Sequence, residues 1–215
     1  MTQDSPVDLL VLHAVRICGF ADTATLARRF DLDRAETAEL LGDLEAHGWV
    51  QRSAFADLSG WSLTGSGRDE NERRLAAELT ATGRADDVRD AHHEFLPLNA
   101  RVQRACTDWQ LRPVPGARLT PNDHTDPSWD GAVLDELAAI GDDLAPLARL
   151  LGDVLARCGG YHDRFSAALG QARTGEGRWV DGSDVDSCHR VWFELHEDLV
   201  ATLGIDRGAE RGAER

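Results

Sequence analysis

From Val133 to Cys158 apolar side chains return at steps of four and three without a missed beat: Val133, Leu137, Ile140, Leu144, Leu147, Leu151, Val154 and Cys158. Only an α-helix gathers that spacing onto one face. Pro146 falls inside the run without shifting its phase. The spacing therefore predicts one bent helix from Asp130, about 40 Å long at 1.5 Å per residue, ended by Gly159-Gly160. A second seam keeps the same rhythm, with two polar members: Val88, His92, Phe95, Asn99, Val102, Cys106 and Trp109. Its helix begins near Ala85, and a kink or break is expected at Pro97. Seams this long must be covered by other helices, so the larger part of the chain is committed to helix packing.

The remaining C-terminal segments follow the same logic. Arg68 to Ala81 reads as a polar helix with Leu75 and Leu79 facing inward. Residues 113–128 contain four prolines and read as a connector, either a surface loop or a lid. Tyr161 to Ala172 is a shorter helix, and Arg173 to Gly182 a glycine-rich loop bearing Trp179. The last helix runs from Ser183 or Asp184 to Leu203, with Val185, Cys188, Trp192, Leu195 and Leu199 inward and Gly204 as its cap. The GAER repeats at the end read as a disordered tail.

The N-terminal third has a different grammar. Val7, Leu10, Val11, Ala14 and Ile17 make a helix that Gly19 ends. A short helix follows over residues 23–30, then a turn at Asp31-Leu32-Asp33, in which Asp33 can cap the next helix. That helix, Arg34 to His47, turns Ala38, Leu41 and Leu44 inward and stops at Gly48. Trp49 to Arg52 and Trp61 to Thr64 read as strands around a turn from Phe55 to Gly60.

The stretch LARRFDLDRAETAELLGDLEAHGWVQR resembles the helix-turn-helix of MarR-type winged-helix regulators, and WSLTGSG resembles the segment that closes their wing. The resemblance spans roughly residues 7–80. It implies that the helix from Arg34 is a recognition helix entering the major groove of double-stranded DNA. Its outward side chains would be Arg34, Ala35, Glu36, Ala38, Glu39 and Asp43. Phosphate contacts would fall to Arg28, Arg29, Arg34 and Arg52, with Arg68, Arg73 and Arg74 as further donors, and Glu36 or Glu39 could accept from cytosine.

Charge argues the other way. The 23 basic residues are all arginines and stand against 38 acidic ones, a net charge of −15. Residues 1–66 alone carry ten acidic residues against five arginines, and Phe55 to Gly60 lacks the basic residue that the resemblance implies for the minor groove. Acidic surfaces repel nucleic acid. A second reading is therefore an adaptor whose acidic winged helix contacts a protein partner without binding DNA. A third, weaker one is an accessory domain of an enzyme.

No apolar run approaches the roughly 20 residues that cross a bilayer, and the start MTQDSPVD is acidic rather than signal-like. Cys18, Cys106, Cys158 and Cys188 are too far apart for a CxxC pair and read as buried thiols of a cytoplasmic protein. No phosphate-binding loop, dinucleotide fingerprint or HExxH is present, so neither an enzyme nor a cofactor is expected. His189 and His196 lie seven residues apart, about 10 Å along a helix and too far to share one ion, so no metal site is expected.

The tryptophans suggest a pocket. Trp109, Trp129, Trp179 and Trp192, with Tyr161, supply aromatic walls in the helical region, and His92, Asn99, His189 and His196 supply polar groups. The competing account is a core built with indole. The fold expected from all this is mainly α: a winged helix-turn-helix with a small two-stranded wing over 1–82, an all-helical dimerisation or ligand-sensing domain over 83–206, and a tail over 207–215. The expected function is a homodimeric DNA-binding regulator, open to a small-molecule effector.

Overall fold

The computed structural model describes residues 2–55, 58–114 and 117–205. It is mainly helical, with two small antiparallel hairpins. The chain divides into two compact units. The first comprises the chain up to Val88, Asp153–Arg157 and the residues from Glu194 onward; the second comprises Arg89–Gly152 and Cys158–Phe193. The units are thus discontinuous in sequence and depart from a single boundary at 82/83. Three long helices, Ala85–Gln110, Pro127–Val154 and Cys188–Leu203, contribute residues to both, which no composition shift announces.

In the first unit, α1 (Val7–Cys18), α2 (Thr23–Arg29) and α3 (Arg34–Ala46) precede β1 (Val50–Phe55), β2 (Leu58–Leu63) and α4 (Gly65–Thr82). Their core joins Val11, Leu12 and Val15 of α1 to Leu26, Leu41, Leu44, Val50 and Trp61. Fully burying one such side chain is worth about 1.5–3 kcal/mol. Three positions expected to face inward differ from expectation. In α1, Val7 is exposed and Leu10 half-buried, while Leu9, Leu12 and Val15 are buried. The helix is packed on more than one side, so a single stripe describes it poorly: Leu9 packs in a separate cluster with Leu75 and Ala201. In α3, Ala38 is exposed and Thr37 buried, because Thr37 Oγ1 donates to the Asp33 carbonyl at 2.7 Å and turns inward with Leu41 and Leu44.

Caps place the helix starts. Asp22 accepts from the Thr25 N–H, and Asp33 from those of Ala35 and Glu36. Strands β1 and β2 pair in register from Val50↔Leu63 to Phe55↔Leu58, and Ala21 bridges Trp61 alongside them. Thr64 caps α4 by accepting from the Gly67 N–H and donates to the Gly48 carbonyl at 2.6 Å. Gly67 lies so close to Trp49 that an added Cβ would sit 1.8 Å from its carbonyl oxygen. No side chain fits there.

In the second unit α5 (Ala85–Gln110) runs through Pro97 unbroken. Its seam is buried throughout, from His92 to Trp109. The segment expected to be a connector is a hairpin, β3 (Leu111–Val114) and β4 (Ala117–Pro121), so this part of the chain is not all-helical. Prolines are tolerated because Pro113 sits at an irregularity of register and Pro121 at a strand end, where no ladder N–H is required. Asn122 ties the hairpin down: its N–H reaches the Gln110 carbonyl at 2.8 Å, and its amide donates to the Trp109 carbonyl and to Asp130.

Helix α6 (Pro127–Val154) is one helix through Pro146, but it ends at Val154, and a 3-10 turn, Ala156–Cys158, carries the last seam residue. Asp126 accepts from the Ser128 and Trp129 N–H groups at its start. α7 spans Tyr161–Arg173 and a short α8 spans Arg178–Asp181, where a loop was expected around Trp179. α9 (Cys188–Leu203) begins later than the expected Ser183, leaving Val185 outside it and half-buried. The expected tail, 207–215, lies outside the described residues.

Candidate functional site

The exposed face of α2 and α3 is the first candidate. Arg34, Ala35, Glu36, Ala38, Glu39 and Asp43 are all exposed. Arg28 is exposed at the end of α2, where its guanidinium donates to Thr25 Oγ1 at 3.0 Å. Arg52 is exposed on β1, with its guanidinium carbon 5.8 Å from the centre of the Trp61 ring.

Arg29 is different, and the expectation that it meets phosphate is corrected. Its Nε donates to Glu194 Oε2 at 2.9 Å, and the two side chains are 7% and 3% exposed. A guanidinium held in a buried ion pair is not available to an external anion. Of the further donors, Arg73 and Arg74 both bind Glu70, and Arg74 also reaches Asp8 at 2.7 Å. Hydrogen bonding from Arg73, joined by Arg74, brings Glu70 down to about 2 despite an opposing effect of desolvation. Arg68 remains 54% exposed, 3.5 Å from Glu197. Arg28, Arg34, Arg52 and Arg68 are therefore the expected donors that remain exposed, and on α3 Arg34 shares its helix with the exposed acids Glu36, Glu39 and Asp43.

Several of the residues expected to line a pocket are buried and engaged with other side chains. Trp192 is buried against Phe95 in a stack with ring centres 4.8 Å apart, and meets Phe165 edge-on. Its indole N–H donates to Asn99 Oδ1 at 3.0 Å, so each answers the other's polar atom. His92 and Tyr161 are also buried. Trp109 lies against the His124 ring, 4.5 Å between centres. His189 is exposed, and His196 and Trp179 are half-buried. The competing account, a core built with indole, describes Trp192 and Asn99.

Trp129 borders open space. It lies beside a groove of about 170 Å³ between α5 and α6, with Ala105, Ala132 and Val133 as apolar lining and Arg101, Arg104, Asp108 and Glu136 as its charged groups. The Trp129 indole N–H is already given to the Asp108 carbonyl at 2.7 Å, which fixes the ring as a wall. Arg101 is held by Glu136 and Asp143. Burial pushes the Cys106 and Cys188 thiols up to about 12, which leaves neither a ready nucleophile. Among the described residues no group of three His, Cys, Asp or Glu side chains is placed to hold a metal ion.

A buried polar constellation has no counterpart among the residues that the sequence singles out. Inside the first unit, Arg157 Nε donates to Glu78 at 2.9 Å, its Nη2 donates to Thr202 at 2.9 Å, and its Nη1 binds Asp198. His13 Nε2 meets the same Asp198 oxygen at 3.0 Å, and Nδ1 faces Asn71 Oδ1 at 3.4 Å. Arg16 Nε donates to Glu197 at 2.7 Å and its Nη1 to Glu72 at 2.8 Å. The available signal was polar residues inside apolar runs: His13 and Arg16 interrupt VDLLVLHAVRI, and Glu194, Glu197 and Asp198 recur at helical steps among buried neighbours.

No protein-family model matches the chain, and no curated protein or solved structure does either.

Proposed function

We propose that the chain is a winged-helix transcriptional regulator of MarR type that binds double-stranded DNA through α3 and the end of α2. The observation that carries this reading is the order of the first unit. Three short helices lead into a hairpin, Ala21 bridges the second strand, and the third helix leaves a complete face exposed. A helix with an unencumbered face after a tight turn is the part that enters a major groove. Arg28, Arg34 and Arg52 are its phosphate contacts. The effector of such a regulator, a small molecule with an apolar body, fits the groove beside Trp129 better than the filled interior around Trp192.

Two like units suit a pseudo-palindromic operator, so the regulator is a homodimer. The dimer surface is not one of the long seams, because every member of both is buried within the single chain. Sedimentation at micromolar concentration gives about 47 kDa, twice the 23.5 kDa chain, if this holds; a monomer removes the palindrome.

A second reading is favoured by one specific observation. Glu36, Glu39 and Asp43 outnumber Arg34 on the exposed face of α3, which suits contact with a basic protein surface. Titration of upstream DNA at low salt separates the two. Binding that weakens with Arg34→Ala supports the regulator, and no binding by a proven dimer supports the adaptor.

A further inference from the structure

We propose that His13 is a buried proton switch: its neutral imidazole holds the segment Glu194–Leu203 of α9 against α1, and proton uptake in mild acid loosens that segment.

The argument rests on how the ring is enclosed. His13 and Asp198 are 0% and 1% exposed, so neither is exchanged freely with water. From α9, Asp198 faces Nε2. From α4, Asn71 faces Nδ1, with Glu72 and Glu78 engaged by Arg16 and Arg157. From the 3-10 turn, Arg157 meets Asp198 on the same oxygen as His13. At the end of α2, Phe30 stacks on the ring with centres 6.3 Å apart, and Arg29 pairs with Glu194. On α1 itself, Arg16 sits one turn away and binds Glu197.

Two protonation states make different demands on this enclosure. In the neutral ring, Nε2–H donates to Asp198 and Nδ1 needs a donor. Turning the Asn71 amide by half a turn brings its Nδ2 to Nδ1. That one rotation also serves an atom that otherwise has no partner, since Asn71 Nδ2 is buried and meets no acceptor where it stands. In the charged ring, Nδ1–H must use Asn71 Oδ1 at 3.4 Å, a long contact, and Nδ2 stays unserved. The new positive charge also arises beside Arg157, against a carboxylate that Arg157 already offsets. Burial accordingly holds His13 below the ordinary histidine value of 6.5, outweighing the pull of Asp198.

The direction with pH follows from linkage. A folded histidine with a lowered pKa contributes its full stability above 6.5 and loses it as pH falls from there toward the folded value. In that window the opening equilibrium rises by up to about tenfold per pH unit.

Hydrogen exchange of the full chain between about pH 7.5 and 5.5, corrected for the intrinsic rate, reads this directly. Peptides covering Glu194–Leu203 open up to about tenfold more per unit below 6.5, while α6 peptides over Val133–Leu144 do not. His13→Gln removes the slope. Asn71→Asp supplies a carboxylate to Nδ1, favours the charged ring and reverses the slope, so the idea stays testable if His13→Gln fails to fold. A flat response in the unaltered chain, an equal response in α6, or an unchanged slope in both variants overturns the proposal.

Discussion

Arg157 binds Glu78, Asp198 and Thr202 through three separate nitrogens while its side chain is wholly buried. Removing it leaves two carboxylates in a dry interior with their shared cation gone. Breaking a buried pair in this way costs about 3–5 kcal/mol. Arg157→Met should therefore lower the urea midpoint by that equivalent, and a loss under about 1 kcal/mol would mean that water reaches the site. Asn99 and Trp192 are a neutral counterpart. Asn99→Leu strands the indole N–H and costs about 1–3 kcal/mol, whereas Asn99→Leu with Trp192→Phe costs less than the two single changes summed. Equal sums would show that the bond does not couple them. Neither constellation could be assembled from sequence. His92 and Asn99 stood out as polar members of an apolar seam, but their partners lie on other elements, and the seam shows the need for a partner without naming it. His13, Arg16 and Asp198 lie in helices whose spacing reports only their apolar members, so the pattern does not show that these three are buried with them.

Periodicity reported helices well because a single face controls their burial, and the elements show where that rule ends. The α5 and α6 seams are buried residue for residue as their spacing implied. The α1 stripe departs from a single face because the helix packs on more than one side, and the β3–β4 hairpin is hidden in the sequence because Pro113 and Pro121 look like strand breakers although they stand at positions that need no ladder N–H. At the start of α4 the constraint is steric. Gly67→Ala would drive a methyl group into the Trp49 carbonyl, and relief requires the backbone of the β1 entry to move. A loss of about 1–3 kcal/mol, read as a lower thermal midpoint, is expected from such crowding; an unchanged midpoint would contradict the close approach. Further along α4, Glu70 holds Arg73 and Arg74 at a partly exposed site. With its pKa lowered from 4.5 to about 2, its contribution is complete above 4.5 and disappears as pH falls toward 2. Glu70→Gln should cost under about 1 kcal/mol at pH 7 and nothing near pH 2, since exposure and salt screen the pair. A difference that persists in acid would assign the loss to packing.

Across the whole molecule, a net charge of −15 sets the terms on which DNA can be approached. The element order of the first unit was legible from turn residues and caps, whereas its discontinuous make-up was not, because the sequence places Asp153–Arg157 and the residues after Glu194 far from it along the chain. The proposed DNA contact was also only partly legible: Arg29 looks like Arg28 in sequence, and only its pairing with Glu194 separates them. The central claim concerns that surface. Fluorescence anisotropy of the chain's own upstream DNA at about 50 mM salt, repeated as salt is raised, tests it most directly. With few free arginines on the face, the slope of log K against log salt should be shallow, about −2 to −4 per monomer. Arg28→Ala and Arg34→Ala should each weaken binding to all sequences alike and reduce that slope by about 1, Arg29→Ala should lower stability without a change in slope, and Glu39→Gln with Asp43→Asn should tighten binding. No binding at about 50 mM salt, or a salt slope indifferent to Arg28 and Arg34, would contradict the account.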